Sequence, residues 1–185
     1  MTGTIGALGV AAVLAVLLAW FYNRLVRLRN MARSSWSDID VLLKKRHDLI
    51  GNLVETVKGY AGHEKATLLG VTEARARAMR AEGPGGKGKE EADLRGRLSS
   101  LFAVAEAYPD LKANAGFLEL QKQLSEIENG IEYARRYYNA VVRDVNTAIE
   151  TFPSNLVASG FGFAREEYFQ LDSAGERERT DVRLS

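Results

Sequence analysis

The chain opens on an apolar run and continues as charged sequence with helical periodicity. From Gly3 to Tyr22, twenty consecutive residues (GTIGALGVAAVLAVLLAWFY) carry no charge. At about 1.5 Å per residue, a helix of that length covers about 30 Å, the thickness of a bilayer's hydrocarbon layer. Trp20, Phe21 and Tyr22 close the run, and such rings favour the headgroup layer. A cleaved signal peptide would place Lys or Arg before the run and a small-x-small site after it. This chain has neither, so residues 1–23 read as a transmembrane anchor with a short exterior N-terminus. Gly3, Ala7, Ala11, Ala15 and Ala19 form a small-residue stripe through which two spanning helices could approach and self-associate.

Beyond the anchor the apolar positions step by three and four, with no sustained two-residue alternation. A first helix is predicted over about 24–81, a loop over 83–89 (GPGGKGK), a second helix over about 90–107 and a third over about 115–151. Pro84, Pro109 and Pro153 stand outside these segments, as helices require. The third helix has the cleanest stripe: Phe117, Leu120, Leu124, Ile127, Ile131, Ala134, Tyr138, Val141, Val145, Ala148 and Phe152. The first repeats the stepping from Trp36 through Ile39, Leu43, Arg46, Ile50, Leu53, Val57, Tyr60, Glu64 and Thr67 to Val71. The second shows Leu94, Leu98, Leu101, Phe102 and Ala105 on one face.

The predicted fold is all-α: one N-terminal transmembrane helix, then a cytoplasmic antiparallel bundle of long coiled-coil-like helices over 24–169. The two long stripes are natural mates, within one chain or between chains. The second helix, roughly 27 Å long, is too short to cover both, which leaves apolar surface for another subunit, a partner or the membrane. Gly51 permits a kink in the first helix. Residues 155–163, apolar and glycine-rich, are too short to span and are expected to pack on the end of the bundle rather than rest on the membrane. An up-down-up path would leave Phe161 and Phe163 far from the bilayer, whereas a second helix acting as a cap would bring them close. Residues 170–185 are polar, aperiodic and read as a disordered tail.

Composition changes this picture little until it is mapped along the chain. The 185 residues hold 25 basic and 24 acidic side chains, a net charge of +1, with no cysteine. Zero Cys excludes disulfide scaffolds, cysteine zinc sites and thiol nucleophiles, and suits a reducing compartment. No charge precedes Arg24, yet residues 24–46 hold seven bases against two acids. By the positive-inside bias this basic collar places the N-terminus outside and the larger part in the cytoplasm. Arg24, Arg27, Arg29 and Arg33 are candidate contacts to anionic lipid as well as topology signals.

Candidate chemistry is sparse. Gly83–Lys89 fits the phosphate-loop spacing, but Glu90 stands where a magnesium-binding hydroxyl is needed and no strand precedes. His47 and His63 have no metal-ligand spacing and read as partly solvated surface histidines. Glu126, Glu128 and Glu132 lack the histidines of a carboxylate-bridged metal site and read as a solvated face. Tyr133, Tyr137 and Tyr138 beside Arg135 and Arg136 lack the platform of a nucleic-acid binder. No catalytic, cofactor or metal residue is assigned.

Five strings, taken in order, resemble one family: YNRLVRLRN from Tyr22, WSDIDVLLKKRHDLIGNLVETVKGYAGHEKATL from Trp36, LFAVAEAYPDLKAN from Leu101, FLELQKQLSEIENGIEYARRYYN from Phe117 and FPSNLVASGFGFAREEYF from Phe152. Together they are similar to the LemA family of bacterial membrane proteins, from the anchor to about Phe169. The resemblance implies a short exterior N-terminus, one spanning helix, a cytoplasmic helical domain and no known catalytic activity. It also implies an association with membrane building, through a relative active in magnetosome membranes, and with TPM-domain proteins. One departure is Gly51, where the family usually has Pro in DLIPNLV.

The expected function is that of a non-enzymatic protein of the bacterial inner membrane. Its helical domain would self-assemble, or scaffold and remodel the membrane. The alternative is an adaptor for a membrane partner, such as a TPM-domain protein or a quality-control protease. Expected partners are the lipid bilayer, copies of the chain itself and another membrane protein. Neither nucleic acid nor a small-molecule substrate is expected.

Overall fold

The computed structural model describes residues 2–171, and every regular element among them is a helix. In order these are α1 (Thr2–Tyr60), α2 (Lys65–Arg80), α3 (Gly83–Glu106), α4 (Pro109–Lys112), α5 (Ala115–Glu150) and α6 (Ser154–Gly160). They divide into two compact units. One comprises α1 as far as Ser37 together with Arg136–Glu167; the other comprises Asp38–Arg135 and the segment that begins at Tyr168.

In the unit containing Asp38–Arg135, the stepping of the sequence selects the buried face. Ile39, Leu43, Ile50, Leu53 and Val57 of α1 are buried, as are Phe117, Leu124 and Ile131 of α5. Leu42 lies beside Gly130 and the Tyr60 hydroxyl accepts a hydrogen bond from Asn114, so rising numbers on α1 meet falling numbers on α5. Leu68, Val71, Ala74 and Ala78 of α2, with Leu94, Leu98, Leu101 and Ala105 of α3, complete one apolar cluster with Ile50, Leu53 and Val57. Each large side chain so buried contributes about 1.5–3 kcal/mol.

Two features differ from the pattern-based expectation. The helix predicted over 24–81 is interrupted at Ala61–Glu64, and α2 starts afresh at Lys65. Its stepping lapses at Glu64 and Thr67, and Gly59 and Gly62 weaken helix there. Turning the chain at this point lets α2 add its own apolar face to the same cluster. Arg77 of α2 meets Glu90 at 3.2 Å and Asp93 at 2.5 Å on α3, which fixes the two as a hairpin and raises the Arg77 pKa, chiefly through the Asp93 hydrogen bond.

The second difference is the predicted loop 83–89, which is the first two turns of α3. Gly83 takes a positive φ of 68° and Pro84 stands in the first turn, where its missing N–H costs nothing. At Gly88 the backbone of Gln170 passes so close that a Cβ would overlap its carbonyl oxygen. Glycine is therefore required by the approach of another backbone rather than by flexibility. The first two residues of the tail expected from residue 170 are instead placed: Gln170 lies against α3 and Leu171 is buried. The rest of that predicted tail, 172–185, lies outside the described residues.

In the other unit Leu25 packs with Ala148 and Ala158, and Ala32 with Val141 and Val145. The Trp36 and Tyr138 rings lie 5.4 Å apart. The segment after α6 is strapped along α5 by side-chain to backbone bonds. Asn146 Nδ2 donates to the Glu166 carbonyl (3.0 Å), and its Oδ1 accepts from the Glu166 N–H (2.9 Å). The Tyr138 hydroxyl donates to the Glu167 carbonyl at 2.7 Å. Phe152, last in the predicted stripe, lies beyond the end of α5 and is exposed.

Candidate functional site

The apolar run forms the N-terminal part of α1. It is the one helix among the described residues long and apolar enough to cross a membrane, and none of its apolar window is buried in the protein. Ala7, Ala11, Ala15 and Ala19 are all exposed along it, and the surroundings of Gly3 lie outside the described residues.

At the C-terminal end of this run the chain builds an aromatic cluster. Trp20 and Phe21 make an edge-to-face contact at 4.8 Å. Tyr22 meets Phe161 at 4.9 Å and Phe163 at 5.9 Å. The path of α5 therefore returns residues 161–163 to the end of the apolar run. Segment 155–163 packs through Val157, Ala158 and Phe163 against Leu25, Leu28 and Ala148, as expected of a packing segment, while its Leu156 and Phe161 face outward. Beside the cluster, Trp20, Phe21 and Arg24 share a cleft of about 640 Å³ with Asp144, Thr147 and Phe152.

The four candidate lipid-contact arginines do not share one environment. Arg24, Arg27 and Arg33 are exposed. The Arg24 guanidinium lies 5.7 Å from the Trp20 ring, and that of Arg29, half-buried, lies 4.8 Å from the Phe163 ring. Cation–π contact of this kind holds a charge close to apolar surface. Arg29 is thereby committed to the protein's own packing, and three arginines are left to face outward.

The other unit carries a buried charged cluster that the sequence reading missed. Arg46, at a core-facing step of α1, is fully buried and donates to Glu91 on α3 and, at 2.7 Å, to Glu128 on α5. His47 is buried too, its Nε2 standing 2.8 Å from the second Glu91 oxygen. Its expected place on a partly solvated surface is thus corrected: α3 packs over this face of α1 and brings the buried Glu91 against it. Glu128 likewise belongs to an ion pair rather than a freely solvated face. His63 is exposed. The signal available was Arg46 itself, a charge in an apolar stripe, which demands a buried partner.

Such a cluster ties three helices together, with Arg46 and Glu91 fully buried and Glu128 partly exposed at its edge. Among the described residues no group of three or more His, Cys, Asp or Glu side chains could hold a metal ion.

These features define an all-helical protein with one candidate membrane span. The chain matches the LemA family over residues 35–184 and belongs to it. It is 30% identical to "Magnetosome protein MamQ 2" of Paramagnetospirillum magneticum, over 93% of this chain and 72% of that protein. To "Magnetosome protein MamQ" of Magnetospirillum gryphiswaldense it is 26% identical, with the same coverage. To "Protein LemA" of Metamycoplasma hominis it is 30% identical, over 88% of this chain and 74% of the relative. None of these names is that of an enzyme.

Proposed function

We propose that this protein is a non-enzymatic scaffold of the bacterial inner membrane, anchored by residues 3–22, that assembles with copies of itself. Its N-terminus lies outside and its helical part in the cytoplasm, an orientation supported by the seven bases among residues 24–46. The observation that carries the reading is the anchor's exposure: none of its apolar window is covered by the chain itself, and its alanine stripe is free for close helix–helix approach. That two relatives bear the name of magnetosome proteins supports an organising role at a membrane.

Size analysis of the full chain in mild detergent tests the proposal. Species larger than a monomer, growing with concentration and lost in Ala11→Leu with Ala15→Leu, are expected. A strict monomer at every concentration overturns self-assembly. Cross-linking in cells separates the adaptor reading, which yields one heterologous band, from a scaffold's ladder of self-adducts.

A further inference from the structure

The stretch 151–164 is uncharged throughout, fourteen residues between Glu150 and Arg165. Those two flanking charges pair at 2.6 Å and close the base of the loop that contains α6. Within the loop the side chains sort into two faces. Ser154 and Ala158 are buried, and Ala158 packs with Leu25 and Ala148. On the outer side Phe152 is 74% exposed, Leu156 65% and Phe161 55%. Scattered exposed apolar residues need no explanation, but three large ones on a short uncharged loop form a patch that does.

Its position says what covers it. Phe161 touches Tyr22, and Phe152 shares a cleft with Trp20 and Phe21, so the patch stands level with the aromatic end of the apolar run. If that run spans the bilayer, those rings sit among the headgroups, and whatever shares their level meets the same layer. At about 1.5 Å per residue the seven-residue α6 is far too short to cross. A short helix that exposes one leucine and is flanked by two exposed aromatic rings suits the interfacial plane. Exposed Arg24, held over Trp20, adds positive charge at that level, where anionic headgroups lie.

We infer that Phe152, Leu156 and Phe161 form a second membrane contact that dips into the leaflet at the C-terminal end of the anchor. The inference rests on the anchor reading of residues 3–22. It adds that α6 is a lipid-facing wedge which fixes the adjoining end of α5 at the bilayer surface, so the membrane is gripped at two places.

The chain has no cysteine, so single labels can be placed without background. Full-length Leu156→Cys and Phe161→Cys would each carry an environment-sensitive nitrobenzoxadiazole label in vesicles of phosphatidylethanolamine and phosphatidylglycerol. Leu14→Cys in the anchor and Ser100→Cys on α3 are the references. Headgroup-proximal nitroxide lipids are expected to quench the 156 and 161 labels at least about threefold more than the label at 100, with blue-shifted emission. Labels at 156 and 161 as wet as that at 100, while the label at 14 is quenched by lipid, overturn the wedge and leave the anchor standing. Labels that are blue-shifted but unquenched by lipid also overturn it, since protein then covers the patch. A water-exposed label at 14 overturns the anchor and the wedge together.

Discussion

Arg46 and Glu91, 45 residues apart, form an ion pair with both side chains completely buried. The pair couples α1 to α3, and Glu128 on the other guanidinium nitrogen couples α1 to α5. Removing Glu91 strips Arg46 of its buried counter-charge and leaves it only the partly exposed Glu128; breaking a buried pair costs about 3–5 kcal/mol, whereas an apolar pair of similar volume is close to neutral. Glu91→Ala should therefore lower the urea midpoint of the full chain in mild detergent by that energy. The double change Arg46→Met with Glu91→Leu should recover most of the loss. A single Glu91→Ala as stable as the natural chain would contradict the finding.

Arg46 also shows where pattern reading reached and where it stopped. The three-and-four stepping identified the buried face of α1 and α5 nearly residue by residue, because burial on a helix follows its period. It even put Arg46 on the core face, but nothing local names the partner of a buried charge. Glu91 lies just past a segment whose glycines spell a loop, and Gly88 is glycine because Gln170 passes it, a contact across 82 positions that no window contains. The break at Ala61–Glu64 was legible in the lapse at Glu64 and Thr67.

Gly51 lies inside α1, and the Arg75 guanidinium rests over it, 3.4 Å from where a Cβ would stand. Arg75 Nε donates to the His47 carbonyl at 2.6 Å, the same carbonyl that the helical ladder assigns to the Gly51 N–H. Proline in a helix interior ordinarily costs about 3 kcal/mol, partly by orphaning the carbonyl four residues back. Here that carbonyl already has a second donor. Gly51→Pro should cost clearly less than 3 kcal/mol, and about the full amount once Arg75 is changed to Met. Chemical unfolding of the four chains checks this, and equal costs in both backgrounds would refute the role of Arg75.

At Gly88 the obstruction is backbone, which cannot rotate away as a side chain can. Gly88→Ala should displace the 169–171 segment and expose Phe169 and Leu171, both buried in the native chain. The expected loss is about 1–3 kcal/mol, in the range of overpacked sites. Gly86→Ala is the control, because nothing lies within 4 Å of a Cβ there, and it should be neutral or stabilising. Hydrogen exchange reads the difference directly: amides at 169–171 should exchange faster in Gly88→Ala alone.

Tyr138 supplies a pH test of the strap along α5. Burial, and then the carboxylates of Glu166 and Glu167, push its phenol up to about 12. The unfolded value is near 10, so the folded chain holds this proton more tightly. A raised folded pKa means the contribution is whole below pH 10 and is lost as pH rises through about 12. Tyr138→Phe should cost about 1 kcal/mol near neutral pH, for the bond to the Glu167 carbonyl. It should also flatten the decline in stability above pH 10. Trp36 stands against the Tyr138 ring, so its fluorescence in a Trp20→Phe background reports local melting across pH 9–12. If the natural chain and Tyr138→Phe lose stability in parallel above pH 10, the hydroxyl is not the group that holds its proton, and the strap does not depend on it.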